Sequence, residues 1–248
     1  LTPELLKQLR ADHEAAAALC RKVGMNCKEL REALIFNWTK KGLSTADLTT
    51  LATLGSVLPA LVMLTICDFS GAVGPDGVQR LAEGLGAGAL PAVRFLAFGG
   101  MHVGDAGASA LAAALDRGAL PRLTSLGLTN ATIGDAELVA LAPALRRRPA
   151  LEELGLAFNP LGDEGLAALV APSPPAGALP TTTGGLKELK VLDLNRTQVS
   201  DAGCATLTAA FESGALPALK RISLHGIPAS DAAKTAAAKC APSCSHST

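Results

Sequence analysis

Pairs of large hydrophobic residues, each pair separated by one residue, recur along the chain about every 30 residues. Side chains of a β-strand point alternately to its two faces, so each pair predicts a short strand with one buried face. A turn and a helix-like run follow each pair, which predicts about seven strand-helix units. The predicted core pairs are Leu34/Phe36, Leu64/Ile66, Leu96/Phe98, Leu126/Leu128, Leu154/Leu156, Leu192/Leu194 and Ile222/Leu224.

Helix-start signals follow the predicted strands. A side-chain oxygen at a helix start accepts hydrogen bonds from the free amides of the first turn, and leucines six residues beyond four of the aspartates continue at helical spacing. Breakers such as Gly118-Ala119-Leu120-Pro121 mark the ends of these helices. The predicted caps are Thr45, Gly74, Asp105, Asp135, Asp163, Asp201 and Asp231.

One unit carries the full phrase L-x-x-L-x-L-x-x-N-x-L, at Leu151, Leu154, Leu156, Asn159 and Leu161. With the repeated units, this phrase makes the chain resemble the leucine-rich repeat family, in its ribonuclease-inhibitor-like class, over about residues 30–238. The resemblance implies an α/β solenoid with a parallel concave sheet and convex helices. It also implies a non-enzymatic module that binds a protein partner. The other units lack the Asn that, in this family, bonds buried loop backbone.

The segments outside the regular units have separate predictions. Residues 1–29 read as a helical segment that covers the amino-terminal end of the array, because the terminal units of a solenoid expose their core. The long step between Leu154 and Leu192 contains a Pro-, Gly- and Thr-rich insertion at about 172–185, which predicts an exposed loop. Residues 239–248 predict a disordered tail. Whether the insertion binds a partner or is a tolerated loop stays open.

The predicted concave face changes in polarity along the array. Its amino-terminal part is apolar, its middle consists of Gly and Ala, and its carboxyl-terminal part is polar and charged. Small residues let a partner backbone approach closely, and aromatic and Arg side chains are frequent anchors. An Ala-rich composition is the alternative reason for the small residues. The candidate partner-binding residues are Ile35, Trp38, Met63, Phe95, Glu153, Phe158, Asp193, Asn195, Arg196, Arg221 and His225.

Composition narrows the classes of partner. The 22 basic and 22 acidic residues give no net charge, which argues against bulk attraction to nucleic acid. One Trp and no Tyr argue against a base-stacking platform. The uncharged stretch between Asp47 and Asp68 has the length of a membrane span. Pro59 divides it and both halves fit the repeat, so no transmembrane segment is predicted.

The cysteines and the polar strand residues bear on chemistry. Six cysteines without a paired framework favour a reducing compartment, here the cytoplasm. If the protein were secreted, Cys20 and Cys27, or Cys240 and Cys244, could form bridges. Asp193, Ser223 and His225 fall on adjacent strands of one face, but no nucleophile turn or oxyanion loop accompanies them. The sequence therefore predicts no catalytic site, no metal site and no cofactor.

Two further hypotheses belong to other functional classes. The chain could be a subunit permanently assembled in a large axonemal, organellar or membrane-associated complex, which would predict exposed apolar helix faces. It could also regulate a GTPase, by analogy with the similarly built Ran GTPase-activating proteins. Those regulators tend to be acidic, whereas this chain is neutral. The protein-binding module is the leading hypothesis.

Overall fold

A computed structural model describes residues 2–55, 58–69, 71, 73–86, 88, 90–171 and 185–240. Strands and helices alternate within these ranges. The strands are β1 Ile35–Thr39, β2 Met63–Cys67, β3 Phe95–Gly99, β4 Ser125–Thr129, β5 Glu153–Gly155, β6 Val191–Asp193 and β7 Arg221–Ser223. The helices are α1 Pro3–Val23, α2 Cys27–Glu32, α3 Thr45–Leu54, α4 Pro75–Gly86, α5 Gly104–Asp116, α6 Asp135–Arg146, α7 Asp163–Val170, α8 Asp201–Glu212 and α9 Asp231–Cys240.

The seven strands form one sheet in the order β1-β2-β3-β4-β5-β6-β7, and every neighbouring pair is parallel. Each strand is therefore followed by a helix that returns the chain to the start of the next strand. The predicted α/β leucine-rich repeat arc is confirmed. The side chains at the centre of the inner face line up as Phe36, Leu64, Leu96, Leu126, Leu154, Leu192 and Ile222.

The core lies between the sheet and the helices and runs through all the units. Leu96 and Leu126 of the strands are at most 1% exposed, as are Leu111 and Leu141 of the helices behind them. Burial of each such leucine contributes roughly 1.5–3 kcal/mol. No single unit could close this interior alone, since the inner faces of neighbouring units cover each other. Six of the seven predicted core pairs occupy the predicted positions.

The predicted core pair of the first unit is wrong. Leu34 is 59% exposed, whereas Trp38 is 2% exposed and stacks on Phe36 with ring centroids 4.6 Å apart. In the strand register Phe36 pairs with Leu64 and Trp38 with Ile66. Leu34, Phe36 and Trp38 all point to the same side of a strand, so alternation alone cannot choose between the two pairs. The two aromatic rings fill the inner face, and Trp38 belongs to the core instead of the concave face.

The helix caps lie one residue before most of the predicted positions. The N-caps are Ser44, Gly134, Gly162 and Ser200. Thr45, Asp135, Asp163 and Asp201 are instead the first residues of their helices. Asp105 lies in the first turn of α5, which begins at Gly104 and has Val103 as its N-cap.

The aspartates at these helix starts serve the next unit instead of their own. Asp135 Oδ1 accepts hydrogen bonds from the amides of Gly162 (2.7 Å) and Gly165 (2.8 Å). Asp163 accepts from the Ser200 amide at 2.8 Å, and Asp201 accepts from the Ser230 amide at 2.6 Å. Hydrogen bonds to a charged acceptor are stronger than neutral ones. A ladder of carboxylates therefore joins unit to unit on the helical side.

Asn159 and an arginine run provide further ties between units. The buried Asn159 accepts from the amides of Ala131 (2.9 Å) and Ile133 (3.0 Å) and donates to the Leu128 carbonyl at 2.5 Å. Its predicted bonding to loop backbone is confirmed. Arg148 donates to carbonyls at the end of α5, and Arg147 makes an ion pair with Asp116 at 2.6 Å. The basic run 146–148 thus has structural contacts in the array.

At the amino-terminal end, the last turns of α1 enter the core through Leu19, Cys20 and Val23. Lys22 holds the helix to the array through an ion pair with Asp47 at 2.6 Å. The predicted insertion at 172–185 lies outside the described residues except for Gly185. Helix α9 includes residues 239 and 240, the first two residues of the predicted tail, and the rest of the tail lies outside the described part. Among the described helices, none combines the length and the apolarity needed to cross a bilayer.

Candidate partner-binding surface

The face of the sheet opposite the helices is open, and its amino-terminal part is apolar. Ile35, Met63 and Phe95 are register partners on three consecutive strands, so their side chains form a continuous line. We call these three residues the apolar strip. Ile35 is 58% exposed, while Met63 and Phe95 are half-buried. Trp38, the fourth apolar candidate, is absent from this surface because it lies in the core.

Small residues continue the open face through its middle, where Ala97, Gly127 and Gly155 are register partners. A Cβ added at Gly127 would lie 3.2 Å from the Cβ of Ala97, a tight contact that favours glycine for packing alone. A Cβ added at Gly155 would meet nothing closer than 3.7 Å. Packing therefore accounts for the glycine at 127 but does not require the one at 155.

The carboxyl-terminal part of the open face carries the polar candidates, several of which bond one another or nearby backbone. Glu153 accepts a hydrogen bond from Ser125 Oγ at 3.0 Å. Asp193 accepts from the amide of Asn195 at 3.0 Å, and the Asn195 side chain accepts from the amide of His225 at 2.7 Å. Asn195 thus orders the turn, while Arg221 and His225 remain exposed.

Phe158 and Arg196 lie beyond the carboxyl ends of β5 and β6. The guanidinium of Arg196 lies 5.4 Å from the centroid of the Phe158 ring, within the range of a cation–π contact. Both residues are exposed, Phe158 by 51%. We call them the rim pair.

The backbone of the rim pair is left-handed, with φ of 60° at Phe158 and 53° at Arg196. Both amides continue the hydrogen-bond ladder of the sheet to the next unit, at 2.8 Å each. The same conformation occurs at the equivalent position of four other units, at Gly100, Asn130 and Gly226, which tolerate it, and at Lys40, but not at Asp68 of the second unit. A left-handed backbone costs an L-residue about 1–2 kcal/mol, so a bulky side chain here needs another reason.

Sequence reasoning missed one exposed aromatic side chain. Phe69 aligns with Met101, Ala131 and Asn159, all of which are at most 2% exposed, yet it is 62% exposed. Its ring lies against Gly100, where an added Cβ would clash with it. The glycine at 100 was the available signal, because a ring can cover the backbone of the next unit only where no side chain intervenes.

The residues considered for catalysis do not form a catalytic arrangement. Asp193 and Ser223 are register partners, but the Asp193 carboxylate bonds the Asn195 amide. No hydrogen bond joins the side chains of Asp193, Ser223 and His225, all three of which the structure describes. Within the described residues, no group of three His, Cys, Asp or Glu side chains is placed to hold a metal ion. Cys244 and His246 lie outside that part of the chain.

The family profile described as Leucine Rich repeat matches residues 149–170, which include β5, Asn159 and α7. The match falls on a unit of the seven-stranded parallel array described above. One unit of the array is thus similar to the leucine-rich repeat family, and the fold is a leucine-rich repeat arc. No curated protein matches the chain. Its assignment to the ribonuclease-inhibitor-like class of leucine-rich repeats stays a prediction.

Solved structures that are similar to this chain have low identity to it. An internalin from Listeria monocytogenes is 16% identical over 93% of this chain and 63% of its own, with a TM-score of 0.43. A chain of the yeast Rad7 and Elc1 complex is 18% identical over 88% of this chain and 55% of its own, with a TM-score of 0.42. A Bacteroides fragilis protein is 13% identical over 91% and 68%, with a TM-score of 0.44. The chain thus spans less than two thirds of the first two.

Proposed function

We propose that this leucine-rich repeat protein is a non-enzymatic binding module whose open sheet face and rim pair hold a protein partner. The rim pair is the observation that carries the proposal. The fold uses a left-handed backbone at this position but does not require the bulky side chains that make it strained, and such strain tends to be kept at binding sites. An aromatic ring and a guanidinium stacked on each other are also typical of interface anchors.

The remaining surface supports the same function. The apolar strip offers an exposed aliphatic side chain beside two half-buried ones, as expected of a contact surface. Gly155 leaves room at the middle of the face. Arg221 and His225 provide exposed polar groups at the far end, so that a bound segment would have a defined direction. The partner would lie along the sheet from the apolar strip to Arg221.

The permanently assembled subunit is less well supported. That hypothesis predicts apolar helix faces directed outward. Among the helical side chains that the structure describes, Val139 is the large hydrophobic residue that is exposed, by 40%. The exposed apolar side chains otherwise lie at or near the strands, at Leu34, Ile35, Phe69 and Phe158.

Glycine substitutions at the rim test the proposal without disturbing the fold. Phe158→Gly and Arg196→Gly remove the side chains and relieve about 1–2 kcal/mol of backbone strain each. The added freedom of glycine in the unfolded chain costs about 0.5–1 kcal/mol, so stability should change little. Lys40→Gly is the matched control, because it makes the same change at the equivalent position of the first unit.

The measurement is comparative capture of proteins by immobilised wild type and variants, followed by titration of the captured partner. We expect Lys40→Gly to match the wild type and each rim variant to bind at least about tenfold more weakly, as loss of an anchor predicts. Gly155→Lys should also block binding, because it fills the open middle of the face. Equal binding by wild type, rim variants and Gly155→Lys would refute the assignment to this face.

A further inference from the structure

Two cysteines at the amino-terminal end of the array lie close together. Cys20 is in the last turn of α1, and Cys27 is the first residue of α2. Their Sγ atoms are 3.7 Å apart, and both thiols are free. A disulfide needs a sulfur–sulfur distance of about 2.0 Å, so the two sulfur atoms must come closer before they can bond. Rotation of the exposed Cys27 side chain can supply most of this movement.

The two thiols differ in accessibility. Cys20 is 5% exposed and packs with Leu19 and Val23 in the core, whereas Cys27 is exposed. Burial, together with the neighbouring Cys27, raises the pKa of the Cys20 thiol. A reagent in solution therefore reaches Cys27 first. Cys20 is then positioned to react with whatever has formed on Cys27.

We propose that Cys27 and Cys20 form a thiol-disulfide exchange site, with Cys27 as the attacking thiol and Cys20 as the resolving thiol. The co-substrate is a small disulfide of the glutathione class. Cys27, as thiolate, attacks one sulfur of the small disulfide, whose sulfur–sulfur bond breaks and releases one thiolate. The Cys20 sulfur, after losing its proton to water, attacks the Cys27 sulfur and releases the second thiolate. Two electrons and two protons pass to the small disulfide, which becomes two thiols.

The bond would lock the two helices of the amino-terminal end together. Helix α1 is held to the array by its last turns and by the ion pair of Lys22 with Asp47. Helix α2 is capped by Asn26, whose side chain accepts from the amides of Lys28 and Glu29. Between the helices, Gly24 has a left-handed backbone with open space around it. A disulfide across this turn would reduce opening of α1 away from the array.

The test uses the whole chain and peptides that the sequence already provides. Arg21 and Lys22 lie between the two cysteines, so trypsin separates 11–21 from 23–28, which stay joined only if the bond is present. The wild type is incubated with oxidised glutathione, alkylated, digested and analysed by mass spectrometry. We expect the joined peptides, their loss on reduction, and slower hydrogen exchange of α1 in the oxidised form.

Three variants distinguish the outcomes. Cys20→Ser should accumulate a glutathione adduct on Cys27, because the resolving thiol is absent. Cys27→Ser should leave Cys20 unmodified in the folded chain. The control Cys204→Ser, at a buried cysteine of α8, should oxidise like the wild type. A stable adduct on Cys27 in the wild type, or joined peptides only after denaturation, would overturn the proposal.

Discussion

The ladder of carboxylates predicts that an alanine in a helix can destabilise this protein where it would ordinarily stabilise it. The change is Gly165→Ala in α7. Alanine favours a helix by about 1 kcal/mol over glycine. However, its Cβ would lie 2.8 Å from Asp135 Oδ1, 3.1 Å from the Asp135 Cα and 3.2 Å from the Leu138 Cβ.

The carboxylate of Asp135 cannot move away from the new Cβ without weakening its hydrogen bonds, because it accepts from the amides of both Gly162 and Gly165. A hydrogen bond to a charged group contributes about 1.5–3 kcal/mol. Losing one of these hydrogen bonds and weakening the other costs more free energy than the gain in helix propensity returns. We expect the free energy of unfolding to fall by about 1–3 kcal/mol.

Urea unfolding followed by circular dichroism measures this difference, and the chain offers a matched control. Gly107 occupies the same position in α5, but its added Cβ would meet only valine side chains, the nearest at 3.2 Å. Gly107→Ala should leave stability unchanged or raise it by up to about 1 kcal/mol. In an Asp135→Ala background, Gly165→Ala should cost much less than in the wild type. If Gly165→Ala stabilises the protein as Gly107→Ala does, the carboxylate ladder contributes nothing and the reasoning fails.

Two other predictions concern the ties between units. Asn159→Leu should lower the free energy of unfolding by about 3 kcal/mol or more, because it leaves the buried amides of Ala131 and Ile133 without an acceptor; an unchanged urea midpoint would contradict this. Burial alone would raise the pKa of Asp47, but hydrogen bonds from Lys22 and Ser44 outweigh it and the pKa is lowered. The stability from Asp47 is therefore complete above its ordinary pKa of about 4 and is lost as the pH falls through that value and the lower folded one. The difference in stability between wild type and Asp47→Asn should shrink over that range, and a constant difference would rule the pH effect out.

Most of the fold could be predicted because the units repeat. Six core pairs occupy their predicted places, since a buried strand face and a buried helix stripe leave clear periodic patterns. The prediction of the core pair in the first unit was wrong for a physical reason. With Leu34, Phe36 and Trp38 on one side of the strand, the choice depends on which rings fit between the sheet and α3, and spacing does not show that. Most of the predicted caps were wrong by one residue, in part because an aspartate at a helix start can bond the next unit instead of its own helix.

The candidate surface was less predictable than the fold. The apolar strip became continuous only when the register aligned Ile35 with Met63. Phe69 lies at the position equivalent to the buried Asn159, and its outward ring depends on the glycine in the neighbouring unit. The backbone strain at Phe158 was also hidden, because equivalent positions hold residues as different as Lys40 and Gly226. The residue type at this position varies, although six of the seven units share the left-handed conformation.

The shared backbone conformation and the varying side chains at this position distinguish what the fold requires from what a partner would require. After every described strand except β2 the turn has a left-handed backbone, and from β1 to β6 its amide continues the ladder; glycine supplies both without strain. Selection for stability alone would favour glycine or asparagine at this position, as found after β3, β4 and β7. Phe158 and Arg196 oppose that tendency side by side and contact each other. If glycine at 158 and 196 preserves stability while it abolishes binding, the two requirements are distinct; if it abolishes neither, the rim pair has no role beyond the fold.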